Sequence, residues 1–218
     1  YIVRTAAQMF DVPEKHYLRA GAAVEMVHTY SLIHDDLPAM DDDDMRRRRP
    51  SCHIAFDEAT AILAGDALLT LSFEVLAGVD THPDPLVRSE LVMMLAARSG
   101  AAGMVGGQMI DLESEHVVVD AALIARLETM KTGALISYSC AAGAILGQAG
   151  AEAIKTLETF GFELGLAFQI TDDLLDVEGD EDDVGKKVGK DAKAGKATFL
   201  SALGVDGARS EARRVTDS

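Results

Sequence analysis

Strict alternation of apolar and polar residues, the signature of a half-buried strand, is scarce in this chain, while Ala, Leu, Glu, Met and Lys fill its long segments. That pattern constrains the fold more than any other feature, and it predicts an all-α chain. A first helix is expected from Glu14 to Asp36. Pro38 should end it, because proline disfavours the helical conformation at the residue before it. A second helix, from about Asp57 to Ala77, contains AILAGDALLTL and is apolar nearly all round, which reads as a buried central helix. HPDP at Pro83 and Pro85 breaks the chain. A third helix is then expected to about Glu113, a fourth over Ala121 to Gly147 and a fifth over Glu152 to Val177. EGDEDDVGKKVGKDAKAGK reads as a polar loop, followed by one or two more helices. Long helices joined by short loops predict one antiparallel bundle over residues 1–218. The stretch from Glu115 to Asp120 fits poorly between its neighbours, which points to residues absent there. Separately, Tyr1, not Met, falls inside an apparent helix, and the expectation is a chain incomplete at both ends.

The formal net charge is −16, which argues against nucleic acid or an anionic membrane as the main partner. An anionic substrate would need local cations to bind such a chain. No uninterrupted apolar stretch of about 18 residues is present, so no spanning helix is expected, and no signal peptide is visible. The two cysteines, Cys52 and Cys140, imply no disulfide framework; a reducing, cytoplasmic setting is the simpler reading.

Two segments carry chemistry. HDDLPAMDDDDMRRRRP, His34 to Pro50, sets six aspartates beside four arginines. FQITDDLLD, Phe168 to Asp176, places Asp172 and Asp176 four residues apart and therefore on one helix face. An apolar helix that ends in inward-facing carboxylates is destabilised by desolvation unless cations are supplied. Asp35, Asp36 and Asp41 on one helix end, and Asp172 and Asp176 on another, could face each other and bind hard divalent cations. Mg²⁺ suits them, because it commonly takes one or two carboxylates plus substrate phosphates. The arginines then have a purpose, since guanidinium forks hold phosphate oxygens from another side.

These residues carry a resemblance. VHTYSLIHDDLPAMDDDDMRR resembles the first aspartate-rich motif, with its two-residue insertion, of the short-chain isoprenyl diphosphate synthases of the bacterial farnesyl diphosphate synthase type. FQITDDLLD resembles the second motif, and AILAGDALL, GGQMIDL, KTGALI and GKATF follow in family order and spacing along essentially the whole chain. The resemblance implies the isoprenoid synthase helical bundle with a central cavity, up to three Mg²⁺ ions with bound diphosphate, and a homodimer. It implies Asp35 and Asp41 as Mg²⁺ ligands with Asp36 nearby, Asp172 as a ligand from the other side, and Asp176 acting through water. Arg46, Lys131, Lys186 and Lys196 would hold an allylic diphosphate, and His28 and Arg47 would help hold isopentenyl diphosphate. Thr132 and Gln169 would lie near a developing carbocation, where their dipoles stabilise positive charge. In the family an aromatic five residues before the first aspartate, together with the inserted Pro38 and Ala39, accompanies a fifteen-carbon product. Tyr30 fits that rule, with Ser31 beside it on the same turn.

Three departures stand out. Arg48 replaces the family's glycine after the paired arginines, and a turn requiring positive φ would strain it. Asp57 also stands where glycine is usual, and the family's upstream GKRLRP-like stretch is absent. Blander readings are kept for the rest. Asp43 and Asp44 are solvated, Arg48 and Arg49 are surface residues, His34, His53 and His116 are structural, and Phe168 and Met109 belong to the core. The competing functions are a geranylgeranyl or geranyl diphosphate synthase, a non-catalytic subunit of a heteromeric prenyl synthase, and a terpene cyclase. A non-catalytic subunit commonly loses one aspartate cluster. A cyclase of this fold usually carries an Asn/Ser/Glu metal motif in place of DDLLD.

Overall fold

The computed structural model describes residues 1–114, 120–178 and 198–217. Ten α-helices and one two-stranded ribbon are present among them. The helices are α1 (Ile2–Gln8), α2 (Glu14–Asp35), α3 (Cys52–Ala55), α4 (Glu58–Ala77), α5 (Pro85–Ser99), α6 (Met104–Ser114), α7 (Ala121–Glu128), α8 (Ala134–Leu146), α9 (Ala151–Glu178) and α10 (Phe199–Thr216). The ribbon is β1 (Met45–Arg46) against β2 (Arg49–Pro50), with Arg46 opposite Arg49. The all-α expectation holds. Residue contacts group into two compact units, residues 1–93 with 142–149 and residues 94–141 with 150–218.

In the first unit, α2 runs from Pro13 to the Asp35–Asp36 pair and packs along α4. Asp57 takes the N-cap position of α4 in extended backbone and accepts a 2.7 Å hydrogen bond from the Thr60 N–H. That explains the aspartate in place of the family glycine, since the position needs a side-chain acceptor and no positive φ. Only the stripe Ala61, Gly65, Ser72 and Leu76 of α4 is buried, while Ile62, Leu63 and Leu71 are exposed. The expectation of a buried central helix at α4 is therefore corrected. An all-round apolar helix indicates that cover is favourable, and the chain supplies cover on one side only. By length and composition α4 is also apolar enough to cross a membrane, although it contains Asp66 and Glu74. The buried helix is α8, where Tyr138, Ala141, Ala142, Ala144 and Ile145 are almost wholly covered. Gly143 lets α1 approach it: a Cβ there would stand 2.4 Å from the Ala7 nitrogen.

In the second unit, Ile124, Ile170, Phe199 and Ala208 form a core cluster contributed by α7, α9 and α10, with Leu166 and Leu174 packed on it. The single third helix expected to Glu113 is two helices. A Cβ at Gly103 would fall 2.0 Å from the Arg98 carbonyl oxygen, so the chain turns between α5 and α6 where only glycine fits. The expected helix from Ala121 to Gly147 is near-continuous but contains one π-helical turn, Thr129–Gly133. Phe168 and Met109, expected in the core, are exposed, because their faces of α9 and α6 are uncovered.

Candidate active site

In the first unit the site is built on the end of α2. The chain folds back through a series of backbone bonds, Leu37 N–H to His34 O, Met40 N–H to Leu37 O and Asp41 N–H to Asp35 O at 2.8 Å. The inserted Pro38 and Ala39 occupy the exposed outside of that turn. Asp41 is thereby returned beside Asp35, and both are partly exposed. Asp36 faces elsewhere and is only 2% exposed. Its Oδ1 accepts from Arg46 Nε at 3.0 Å and from Arg46 Nη2 at 2.5 Å, a fork on a buried carboxylate. The Asp36 carboxylate raises the Arg46 pKa, so Arg46 is a fixed cation.

Arg47 and Arg48, the two residues joining β1 to β2, have φ of 50° and 64°. The strain expected at Arg48 is present, and Arg47 shares it. His28 is half-buried; burial lowers its pKa most, Glu25 opposes, and Arg47 and Arg46 lower it further. The imidazole therefore shares an electrostatic neighbourhood with the arginines named beside it from sequence. The Ser31 hydroxyl donates to the His28 carbonyl at 2.9 Å, which turns it back onto its own helix. Tyr30 is 6% exposed and meets the His34 ring edge-on at 5.7 Å between centroids. Burial, then Asp35, raises the Tyr30 pKa, so it stays a neutral phenol. His34 is wedged between Tyr30 and α4: its Nε2 lies 3.0 Å from the Ile62 carbonyl, and a Cβ at Gly65 would stand 2.1 Å from that nitrogen.

In the second unit the site is built on the π-helical turn and the C-terminal half of α9. A π turn inserts one residue and re-aims its neighbours; here it carries Lys131 and Thr132. Lys131 Nζ donates to Asp111 Oδ2 on α6 in a close ion pair. Gly107 admits the turn, since a Cβ there would lie 2.3 Å from the Lys131 backbone nitrogen. The Thr132 hydroxyl donates to Gln169 Oε1 at 3.3 Å, and Gln169 Nε2 donates to Asp173 Oδ1 at 3.2 Å. Both partners require the same amide orientation, because only NH₂ can donate to a carboxylate. Asp172 is half-buried and Asp176 is 4% exposed. Lys186 and Lys196 lie outside the described residues.

Sequence reasoning missed Asp111 and Asp173. The first was hidden inside GGQMIDL. The second could have been found, since Gln169 and Asp173 have the same four-residue spacing that linked Asp172 with Asp176. In each unit the candidate ligands are carboxylate oxygens, which suit a hard cation. Among the described residues no three His, Cys, Asp or Glu side chains gather to hold a metal by themselves. A Mg²⁺ ion that brings phosphate oxygens as its other ligands does not require such a group.

The chain is 47% identical over 222 residues to the farnesyl diphosphate synthase of Escherichia coli, covering 100% of this chain and 73% of that one. A solved FPP/GFPP synthase from Zymomonas mobilis superposes with a TM-score of 0.89 at 47% identity, over 99% of this chain and 73% of that one. A Helicobacter pylori geranyltransferase complexed with magnesium and isoprenyl diphosphate superposes with a TM-score of 0.87 at 35% identity, over 99% of this chain and 73% of that one. The polyprenyl synthetase family model matches residues 1–218, and the chain belongs to that family.

Proposed function

We propose that this protein is a chain-elongating prenyltransferase that condenses an allylic diphosphate, dimethylallyl or geranyl, with isopentenyl diphosphate to give farnesyl diphosphate. Family membership makes it a prenyltransferase. The observation that carries the fifteen-carbon assignment is Tyr30, buried one turn below the Asp35 carboxylate and braced by His34. A rigid aromatic ring there floors the space beneath the diphosphate site and stops the growing tail.

Asp35 and Asp41 would hold Mg²⁺ with phosphate oxygens as its other ligands, and Asp172 would do the same, with Asp176 acting through water, for up to three ions with bound diphosphate. When bound, Mg²⁺ neutralises the diphosphate and makes it a better leaving group. Asp36 serves by fixing Arg46, which, with Lys131, Lys186 and Lys196, holds the allylic diphosphate. His28 and Arg47 hold isopentenyl diphosphate. The allylic C–O bond breaks with its electron pair leaving on the diphosphate. The double bond of isopentenyl diphosphate attacks the allylic cation, and a proton passes to the departing diphosphate. Thr132 spends its proton on Gln169, so its hydroxyl oxygen offers only lone pairs, the polarity that stabilises a carbocation. No nucleophilic side chain is required.

The uncovered apolar side of α4, with Ile62, Leu63 and Leu71, fits a second copy of the chain, and we assign a homodimer to it. Asp66 and Glu74 within α4 fit a protein contact better than hydrocarbon, and a cytoplasmic location agrees with that. The test is incubation of purified protein with Mg²⁺, dimethylallyl diphosphate and isopentenyl diphosphate, with products sized by mass spectrometry. A dominant fifteen-carbon product is expected. A dominant twenty-carbon product overturns the Tyr30 argument, and no product at all favours a non-catalytic subunit.

A further inference from the structure

In TDDLLD, Asp172 and Asp176 are four residues apart on α9, but the two nearly fully buried aspartates are Asp173 and Asp176, three apart, while Asp172 is half-buried. Asp173 is displaced from Asp172 by one residue, about 100° around the helix, and stands four residues beyond Gln169 on Gln169's own face. Its side chain is 3% exposed. Oδ1 accepts from Gln169 Nε2 at 3.2 Å, and Oδ2 accepts from the backbone N–H of Phe199 at 2.9 Å. Phe199 is the first residue of α10, and its N–H is one of the donors a helix start cannot satisfy internally. The neighbouring cap does not serve it: Thr198 Oγ1 accepts from Ser201 N–H, and Ser201 Oγ accepts from Thr198 N–H. A single buried carboxylate thus joins two elements. One oxygen orients the amide that accepts the Thr132 proton, and the other fixes where α10 begins.

We infer that Asp173 is a positioning residue that acts through Gln169 and the start of α10, and that it is not a metal ligand. Its two oxygens point to protein donors on different elements. An amide at this position could keep one of those bonds but not both, because its nitrogen cannot accept. With Asp173 in place, Gln169 cannot flip: its NH₂ is drawn to the carboxylate and its carbonyl is left for Thr132. Phe199, the last residue of GKATF, is held by the same carboxylate. The catalytic consequence rests on the proposed role of Thr132 and Gln169 beside the allylic cation.

The experiment is a double-mutant cycle on purified protein with Asp173→Asn, Gln169→Leu and the pair, and with Asp172→Ala as the metal control. Loss of one charge-assisted hydrogen bond predicts a fall of about 10- to 100-fold in kcat for Asp173→Asn. Gln169→Leu should cost a similar factor, and the double variant should be no slower than the worse single variant. The Mg²⁺ concentration for half-maximal rate should stay within about twofold for Asp173→Asn and rise at least tenfold for Asp172→Ala. Multiplying losses in the double variant, or a tenfold rise in Mg²⁺ requirement for Asp173→Asn, overturns the inference. An unchanged Mg²⁺ requirement in Asp172→Ala overturns the metal assignment instead, and leaves the 169–173 cycle to be judged on its own. Should Asp173→Asn fail to fold, deuterium exchange at the Phe199 amide of the unsubstituted protein decides. Strong protection supports the link to α10, and the rate of an open amide refutes it.

Discussion

Replacing Arg48 by glycine should make this protein more stable. Arg47 and Arg48 form the two-residue connection between β1 and β2, with φ of 50° and 64°. A two-residue hairpin loop with both residues left-handed is the turn that matches strand twist, and it strongly prefers Asn-Gly or Gly-Gly. An L-residue with a Cβ in that region is strained by about 1 to 2 kcal/mol. Glycine removes that strain but loses about 0.5 to 1 kcal/mol more backbone entropy on folding. The net gain is therefore about 0 to 1.5 kcal/mol, or up to about 3 to 6 °C in melting temperature for a chain of this size. Arg48 is exposed, so the KM for isopentenyl diphosphate should not change. Arg47→Gly should stabilise by a similar amount yet raise that KM, because it removes a proposed substrate contact. Arg48→Ala keeps the Cβ and should give no gain. Thermal unfolding followed by circular dichroism, with initial-rate kinetics on the same samples, tests all three. A melting point for Arg48→Gly below that of the parent, or an equal gain for Arg48→Ala, refutes the strain argument.

Gly107→Ala should destabilise by about 1 to 3 kcal/mol or more, because its Cβ would meet the Lys131 backbone nitrogen at 2.3 Å and backbone cannot step aside; a denaturant titration would measure the loss. Burial lowers the His28 pKa below its usual 6.5, so the unfolded chain binds more protons than the folded one as acid is added. Stability should therefore fall as pH drops from 6.5 through the lowered value, and His28→Gln should flatten that part of the curve; equal slopes for both proteins would exclude His28 as the cause. Tyr30→Ala should deepen the floor beneath Asp35 and shift the product beyond fifteen carbons, read by mass spectrometry, and an unaltered chain length would remove Tyr30 from the specificity argument.

Features set by a few neighbouring residues were legible in the chain itself. Glu14 to Asp35 is a helix, and it ends where Pro38 requires. Asp172 and Asp176 share one turn of α9 because four residues make one turn. These outcomes rest on backbone sterics and helix periodicity, which act over one or two turns and carry the same meaning in any fold. The strain at Arg48, by contrast, was expected only through the resemblance, which puts glycine at that position.

Burial and partnership were another matter. AILAGDALLTL identifies a helix that gains from being covered, yet only the folded chain shows α8 covered and one side of α4 left open. No local rule ties Lys131 to Asp111, twenty residues away, or Asp173 to the Phe199 amide, twenty-six away. Nor does local sequence place a π turn at Thr129–Gly133, which Gly107 accommodates from another helix. The physical reason is range: propensity and spacing are settled among near neighbours, whereas the partner of a buried charge and the covered face of an apolar helix depend on contacts between segments far apart in the chain.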